Sequence, residues 1–394
     1  MGGKGIYYYA IVVIVGFLGT LGYRLSVPVV AFFVRDLLEA SALIIGGLST
    51  AYFVGRALFA TIAGKSISRM QRFTLLPVTG LVLNSILVLS YGFISAPWQA
   101  LLIRFGQGVA AGLLWIPLQY LVAAYVPVEW RGRAYSIYFS LGGLGVFAAN
   151  ALYALLVGLG DWPILVLASL ILASCIPLVL VLPPARTEAL VEKHSSRASS
   201  GGVLSGIVWF TILSGFSLNF VLSIAGGDIP YIFINEIVGL SKPNTALLLS
   251  AVSILGMLIG FIASWIADRY SDRIVLLVLV SLIPLSLLLI ALLTPLTVLL
   301  GFVLLRVIRS TFTPVSRRIL SIYHREPGAA IGYINTASNI GVASGSLYTG
   351  FFYDLLGLES LTLWLATLNL IPLTLLPIAL IPLVAYTVIL RGKQ

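Results

Sequence analysis

The chain is predicted to be an all-α membrane protein, with about twelve transmembrane helices in two pseudo-symmetric six-helix bundles. Three observations predict it. The composition is apolar and poor in charge, apolar runs of spanning length recur from end to end, and the basic residues fall on alternate loops.

Of 394 residues, 60% are apolar and only 9% are charged, where a soluble domain carries roughly 25% charged residues. With a mean hydropathy of +1.09, the solvent this chain is built for is lipid, and its length is spent on repeated crossings of a hydrocarbon core about 30 Å thick. The net charge of +10 would suggest a nucleic-acid partner in a soluble protein. Here the basic residues must first be placed relative to the bilayer, and no nucleic-acid role is expected. A single cysteine, Cys175 inside an apolar run, excludes an internal disulfide and a cysteine-based metal site.

Cuts at clusters of charge, proline and glycine place spans at 8–34, 42–64, 73–95, 98–125, 133–159 and 162–182. A second set falls at 204–235, 244–266, 274–293, 296–321, 328–353 and 361–389. Helices are expected because lipid forces the backbone to bond internally, and no segment alternates like a barrel strand. The first run is too long for a signal-peptide core and reads as the first span. Residues 183–202 are the most polar segment and read as a cytoplasmic linker between an N-terminal bundle, 1–182, and a C-terminal bundle, 203–394.

With the N-terminus inside, the inner loops carry Lys4, Lys65, Arg69, Arg72, Arg131 and Arg133, then Arg186, Lys193, Arg197, Arg269 and further arginines towards the C-terminus. The outer loops carry only Arg35 and Lys242. That asymmetry obeys the positive-inside rule, and miscounting by one span would destroy it. A multi-pass plasma-membrane protein with both termini cytoplasmic is expected. The halves also echo each other: Pro28 pairs with Pro230, Ser68-Arg69 with Asp268-Arg269, and Pro117 and Glu129 with Pro314 and Glu326. Parallel repeats of this kind are a transporter architecture.

The loop after the second span reads Gly64-Lys65-Ser66-Ile67-Ser68-Arg69-Met70-Gln71-Arg72, and the loop after the eighth holds Asp268-Arg269. Span 4 contains Arg104-Phe105-Gly106-Gln107-Gly108, followed before span 5 by Val128-Glu129-Trp130-Arg131-Gly132-Arg133. With these features the chain resembles the major facilitator superfamily, whose loop signature is Gly-x-x-x-Asp-Arg-x-Gly-Arg and whose span 4 carries Arg-x-x-Gln-Gly. Ser68 and Gln71 depart from the signature, and span 5 lacks the Gly-Pro of the family's drug/proton antiporters. The resemblance implies a secondary transporter working by alternating access, with no enzymatic activity and no cofactor. It assigns Gly64, Arg69, Arg72, Asp268 and Arg269 to a conformational latch, and Arg104, Gln107 and Gly108 to the span 4 motif.

Charges inside the spans are the chemically informative residues, because an arginine at mid-bilayer costs roughly 2.5–3.5 kcal/mol. Arg24, Arg56, Arg306 and Arg309 are therefore candidate substrate contacts facing a protein-lined interior. For Arg24, snorkelling or a fixed ion pair is an equal alternative. Asp228 in Gly226-Gly227-Asp228-Ile229-Pro230 is the acid well inside a span and the candidate proton-coupling residue, a permanent ion pair being its alternative. Asn335 and Asn339 share a helix face and are candidate hydrogen-bonding contacts, or else bonds between helices. Gly341 and Gly345 have the spacing that lets two helices approach closely.

No cluster of His, Cys and acids has metal-ligand spacing, and no nucleotide-binding P-loop is present. An interior rich in arginine attracts anions. The expected substrate is a small organic anion or anionic metabolite, with the proton as coupling ion, the lipid bilayer as surrounding partner and a monomer as working unit. Efflux of amphiphilic compounds is the alternative within transport. A membrane sensor or lipid-handling protein on the same fold is the alternative outside it.

Overall fold

The computed structural model describes residues 3–67, 74–127, 130–183, 206–267, 269–323, 327–356 and 374–389. Every regular element among them is helical. In the first half these are α1 (Gly3–Phe32), α2 (Ala42–Ile67), α3 (Leu75–Ser90), α4 (Pro97–Tyr125), α5 (Arg131–Leu156) and α6 (Asp161–Leu180). The second half contains α7 (Gly206–Val221), the one-turn α8 (Ile229–Ile232), α9 (Lys242–Ala267), α10 (Asp272–Ala291), α11 (Pro295–Tyr323), α12 (Pro327–Leu356) and α13 (Leu376–Ile389). Ten helical stretches among the described residues are long and apolar enough to cross a membrane. The expected linker beyond Pro183 and the 361–373 part of the last expected span lie outside the described residues.

Two compact units form. The first comprises Met1–Ala40, Ala51–His194 and Lys242–Ser250, and the second Ser41–Thr50, Ser195–Ser241 and Ala251–Gln394. The opening residues of α2 are thus counted with the second unit, and those of α9 with the first.

Within the first unit α1 packs on α5 and α6, while α3 packs on α4 and α6. The second unit repeats this order, with α7 on α12 and α13, and α10 on α11 and α13. The crossings repeat in detail. A Cβ added at Gly145 of α5 would lie 2.8 Å from the Phe17 carbonyl of α1, and one added at Gly341 of α12 would lie 2.5 Å from the Phe216 carbonyl of α7. Missing side chains at these points let the backbones come together, and close van der Waals approach is what holds helices in lipid.

The sharpest repeat lies at the end of the first and seventh spans, where each helix widens into a π turn, Phe33–Leu37 and Phe233–Ile237. Arg35 Nη1 donates to the Ala40 carbonyl at 2.7 Å, and Asn235 Nδ2 donates to the Leu240 carbonyl at 2.7 Å. Two different side chains thereby satisfy equivalent carbonyls in the connections that lead to α2 and α9. Counted back from these turns, the residue level with Pro28 is Asp228, two positions before Pro230. The shift arises where the seventh span departs from helical geometry: α7 ends in a 3-10 turn, Leu222–Ile224, and residues 225–228 are non-helical before α8 begins.

Candidate functional site

In the first unit, α4 carries Arg104 and Gln107 one turn apart, both fully buried. Arg104 Nη1 and the Tyr91 hydroxyl both donate to Gln107 Oε1 at 3.0 Å, and Gln107 Nε2 donates to Asn84 Oδ1 at 3.2 Å. The Arg104 guanidinium also sits 5.8 Å and 5.9 Å from the ring centres of Tyr91 and Tyr23. Hydrogen bonds and aromatic faces together make a buried cation tolerable, and this cluster ties α3 to α4. Gly108 completes the motif, because a Cβ there would overlap the Tyr52 carbonyl of α2.

Tyr23 and Tyr52 stack with centroids 5.2 Å apart and planes at 18°, bringing α1 and α2 into register at that level. Arg24 and Arg56 are both half-buried. Arg24 lies beside this stack, 6.0 Å from the Tyr23 ring. Arg56 stands one helical turn beyond Tyr52 on α2.

Comparison of the two units gives Arg56 and Arg306 a common meaning. Helices α2 and α9 start at Ala42 and Lys242, and α4 and α11 start at Pro97 and Pro295. Arg56 thus corresponds to Gly256, and Gly108 to Arg306. In the first unit the arginine is on α2 and the opposing glycine on α4. In the second the helices have exchanged roles, and a Cβ at Gly256 would lie 2.6 Å from Arg306 Cβ. Each unit places one arginine and one glycine at the same crossing. Arg306 is half-buried, whereas Arg309, three residues on, is exposed.

Asp228, in the second unit, is 3% exposed. Its carboxylate accepts a bond from the Ser49 hydroxyl at 2.8 Å, and its own N–H donates to the same oxygen at 3.1 Å. Ser49 belongs to the α2 segment of this unit. Gly227, just before the acid, has φ +75°, and a Cβ there would overlap the Ser49 hydroxyl, so both the backbone and the space demand glycine. The acid thus sits at the break in the seventh span with the Ser49 hydroxyl fixed against it.

Asn335 is exposed and Asn339 half-buried on α12. Of the expected latch, Gly64 lies in α2 and Arg269 is exposed, its guanidinium 4.0 Å from the Trp265 ring centre. Arg69, Arg72 and Asp268 lie outside the described residues.

Two further acids act at helix ends. Asp36 pairs with Lys242 at 2.5 Å in the first unit. In the second, Asp354 of α12 accepts from the Ala42 and Leu43 N–H groups at 2.7 and 2.8 Å, capping the start of α2. Removing a carboxylate cap costs about 1–2 kcal/mol. Asp354→Ala is therefore expected to lower the unfolding temperature in detergent and Asp354→Asn to lower it less, as read by thermal denaturation. Sequence reasoning passed over Ser49 and Asp354. A serine in an apolar span carries no signal of its own. An acid at a span end reads as a loop residue until a helix start is seen beside it.

A family model described as the Major Facilitator Superfamily matches residues 12–227 and 211–389. Among solved structures, the chain is similar to a mutant form of nucleoside transporter NupG, at 13% identity and TM-score 0.74, covering 97% of this chain and 100% of that one. It is similar to a bacterial homolog of the human lysosomal transporter Spinster, at 16% identity and TM-score 0.68, covering 100% and 93%. The D-xylose-proton symporter matches at 15% identity and TM-score 0.70, covering 96% and 97%. At these identities the likeness is one of fold. No curated protein sequence matches the chain.

Proposed function

The chain belongs to the major facilitator superfamily, a multi-pass membrane transporter of the alternating-access type, and from that premise we propose that it moves a small organic anion coupled to protons. One observation carries the anionic substrate: the repeated helix crossing that holds Arg56 in one unit and Arg306 in the other. Duplicated packing keeps a costly charge in both halves, although the arginine comes from a different helix each time. Positive charge placed at the same crossing in both units attracts an anionic solute over a neutral or cationic one. Arg24 beside Tyr23 adds to the positive potential of the first unit, and Arg309, Asn335 and Asn339 are secondary contacts. Asp228 is the proton carrier in this reading, and the like fold of a D-xylose-proton symporter supports proton coupling in general.

Gly64, Arg69, Arg72, Asp268 and Arg269 act as the cytoplasmic latch, with both termini cytoplasmic, the plasma membrane as location and a monomer as working unit. Proteoliposomes loaded with a panel of carboxylates, phosphate monoesters, sugars and nucleosides test the proposal. Gradient-dependent flux of anions is expected. Flux of neutral solutes alone would overturn the anionic reading, and absence of any flux would overturn solute transport itself. Arg56→Met and Arg306→Met are each expected to raise the KM for the anion about tenfold, a loss of about 1.4 kcal/mol, with neutral solutes unaffected.

A further inference from the structure

We infer that the hydroxyl of Tyr138, together with Arg56, binds an oxyanion group of the transported solute. The inference rests on the anionic reading above and adds a binding residue to it. Tyr138 lies on α5 in the first unit and is 4% exposed. Its hydroxyl is buried with no hydrogen-bond partner among the described residues.

Other tyrosine hydroxyls of this unit are satisfied. Tyr135, one turn away on the same helix, donates to the Gln119 carbonyl at 2.9 Å; Tyr9 donates to Ala134 and Tyr125 to Pro183, each at 2.9 Å. A buried polar atom without a partner is destabilising and uncommon in folded proteins, so one that persists calls for a role.

The ring is placed deliberately. Gly16 of α1 makes room for it, since a Cβ there would lie 2.7 Å from Tyr138 Cε2. The Tyr23–Tyr52 stack fixes the levels of α1 and α2. From it, Gly16 lies about 10 Å along α1 towards its start, and Arg56 about 6 Å along α2 towards its end, by helix rise. Because consecutive spans run in opposite directions, both steps lead the same way. Arg56 consequently lies within electrostatic range of the Tyr138 hydroxyl. A guanidinium offers its paired N–H donors to a carboxylate or phosphate, and the phenol supplies one further donor to the same group.

Tyr138→Phe in the full-length protein, reconstituted into proteoliposomes, tests the assignment with a monocarboxylate, a phosphate monoester and a neutral sugar. The variant is expected to unfold at the same temperature as the wild type or higher, because it deletes an unsatisfied group. Its KM for the transported anion should rise about tenfold or more, with any sugar flux unchanged. Combined with Arg56→Met, the two effects should be less than multiplicative, as expected of side chains that share one ligand group.

An unchanged KM in Tyr138→Phe, with anion flux intact in the wild type, would overturn the assignment alone. Equal losses for anions and neutral solutes, or a lower unfolding temperature, would overturn it in favour of a packing role. Fully multiplicative effects would overturn the shared oxyanion. Absence of anion flux in the wild type would overturn this inference and the anionic reading together.

Discussion

Asp228→Asn is expected to abolish proton-driven accumulation while leaving exchange of substrate across the membrane in place. The substitution keeps the size of the side chain, and its amide oxygen still accepts from the Ser49 hydroxyl 2.8 Å away. What it removes is a group that can take up and release a proton. One proton per solute drives about tenfold accumulation per unit of pH difference. The variant's accumulation ratio should therefore fall to one in proteoliposomes under an imposed pH gradient, with counterflow of labelled solute preserved. Accumulation at the wild-type level would exclude Asp228 as the carrier. Loss of counterflow as well would assign it to the structure of the broken span.

Gln107→Leu is expected to have the largest effect on stability. It keeps much of the side-chain volume but removes the oxygen shared by Arg104 and Tyr91 and the donor to Asn84. Stripping an acceptor from a buried charged group costs about 1–3 kcal/mol or more, a large share of the marginal stability of a folded protein. Gln107→Glu should do far less harm, because a carboxylate still accepts from Arg104 and Tyr91 and the Asn84 amide can turn to donate. Thermal unfolding of the two variants separates the readings: equal destabilisation would mean that shape, and not hydrogen bonding, decides the site.

Much of the fold could be read along the chain, and most of the site could not. The starts of α2, α4, α6, α9, α10, α11 and α12 fall within two residues of those expected, since each follows a charge, proline or glycine cluster that ends the previous apolar run. The seventh span was expected as one segment, loosened by glycine and proline; its interruption at 225–228 follows from Gly227 and its left-handed backbone. Pairing Pro28 with Pro230 assumed that the two spans kept step, and the matched π turns place Asp228 at that level instead.

Arg24, Arg56, Asp228 and Arg306 stood out in the sequence because charge is conspicuous in an apolar run. Tyr138, Ser49 and Gly256 did not, since tyrosine, serine and glycine are ordinary in membrane helices. Their significance lies in a missing partner, a bonded acid and a neighbouring arginine stem, all on elements distant in sequence.

The sequence by itself determined that the chain crosses a membrane many times as helices, because hydrocarbon thickness sets the length of each apolar run and lipid leaves the backbone only its own hydrogen bonds. It also picked out the intramembrane charges, whose cost makes them stand apart. Only the tertiary structure decided which groups stand against them: Gln107 and two aromatic faces around Arg104, Ser49 against Asp228, and the α2–α4 and α9–α11 crossings that hold Arg56 and Arg306. It also decided which helices neighbour one another within each unit, α1 with α5 and α6, and α7 with α12 and α13. Such choices depend on side-chain contacts between helices far apart in the chain, and along a uniformly apolar span nothing local distinguishes one neighbour from another.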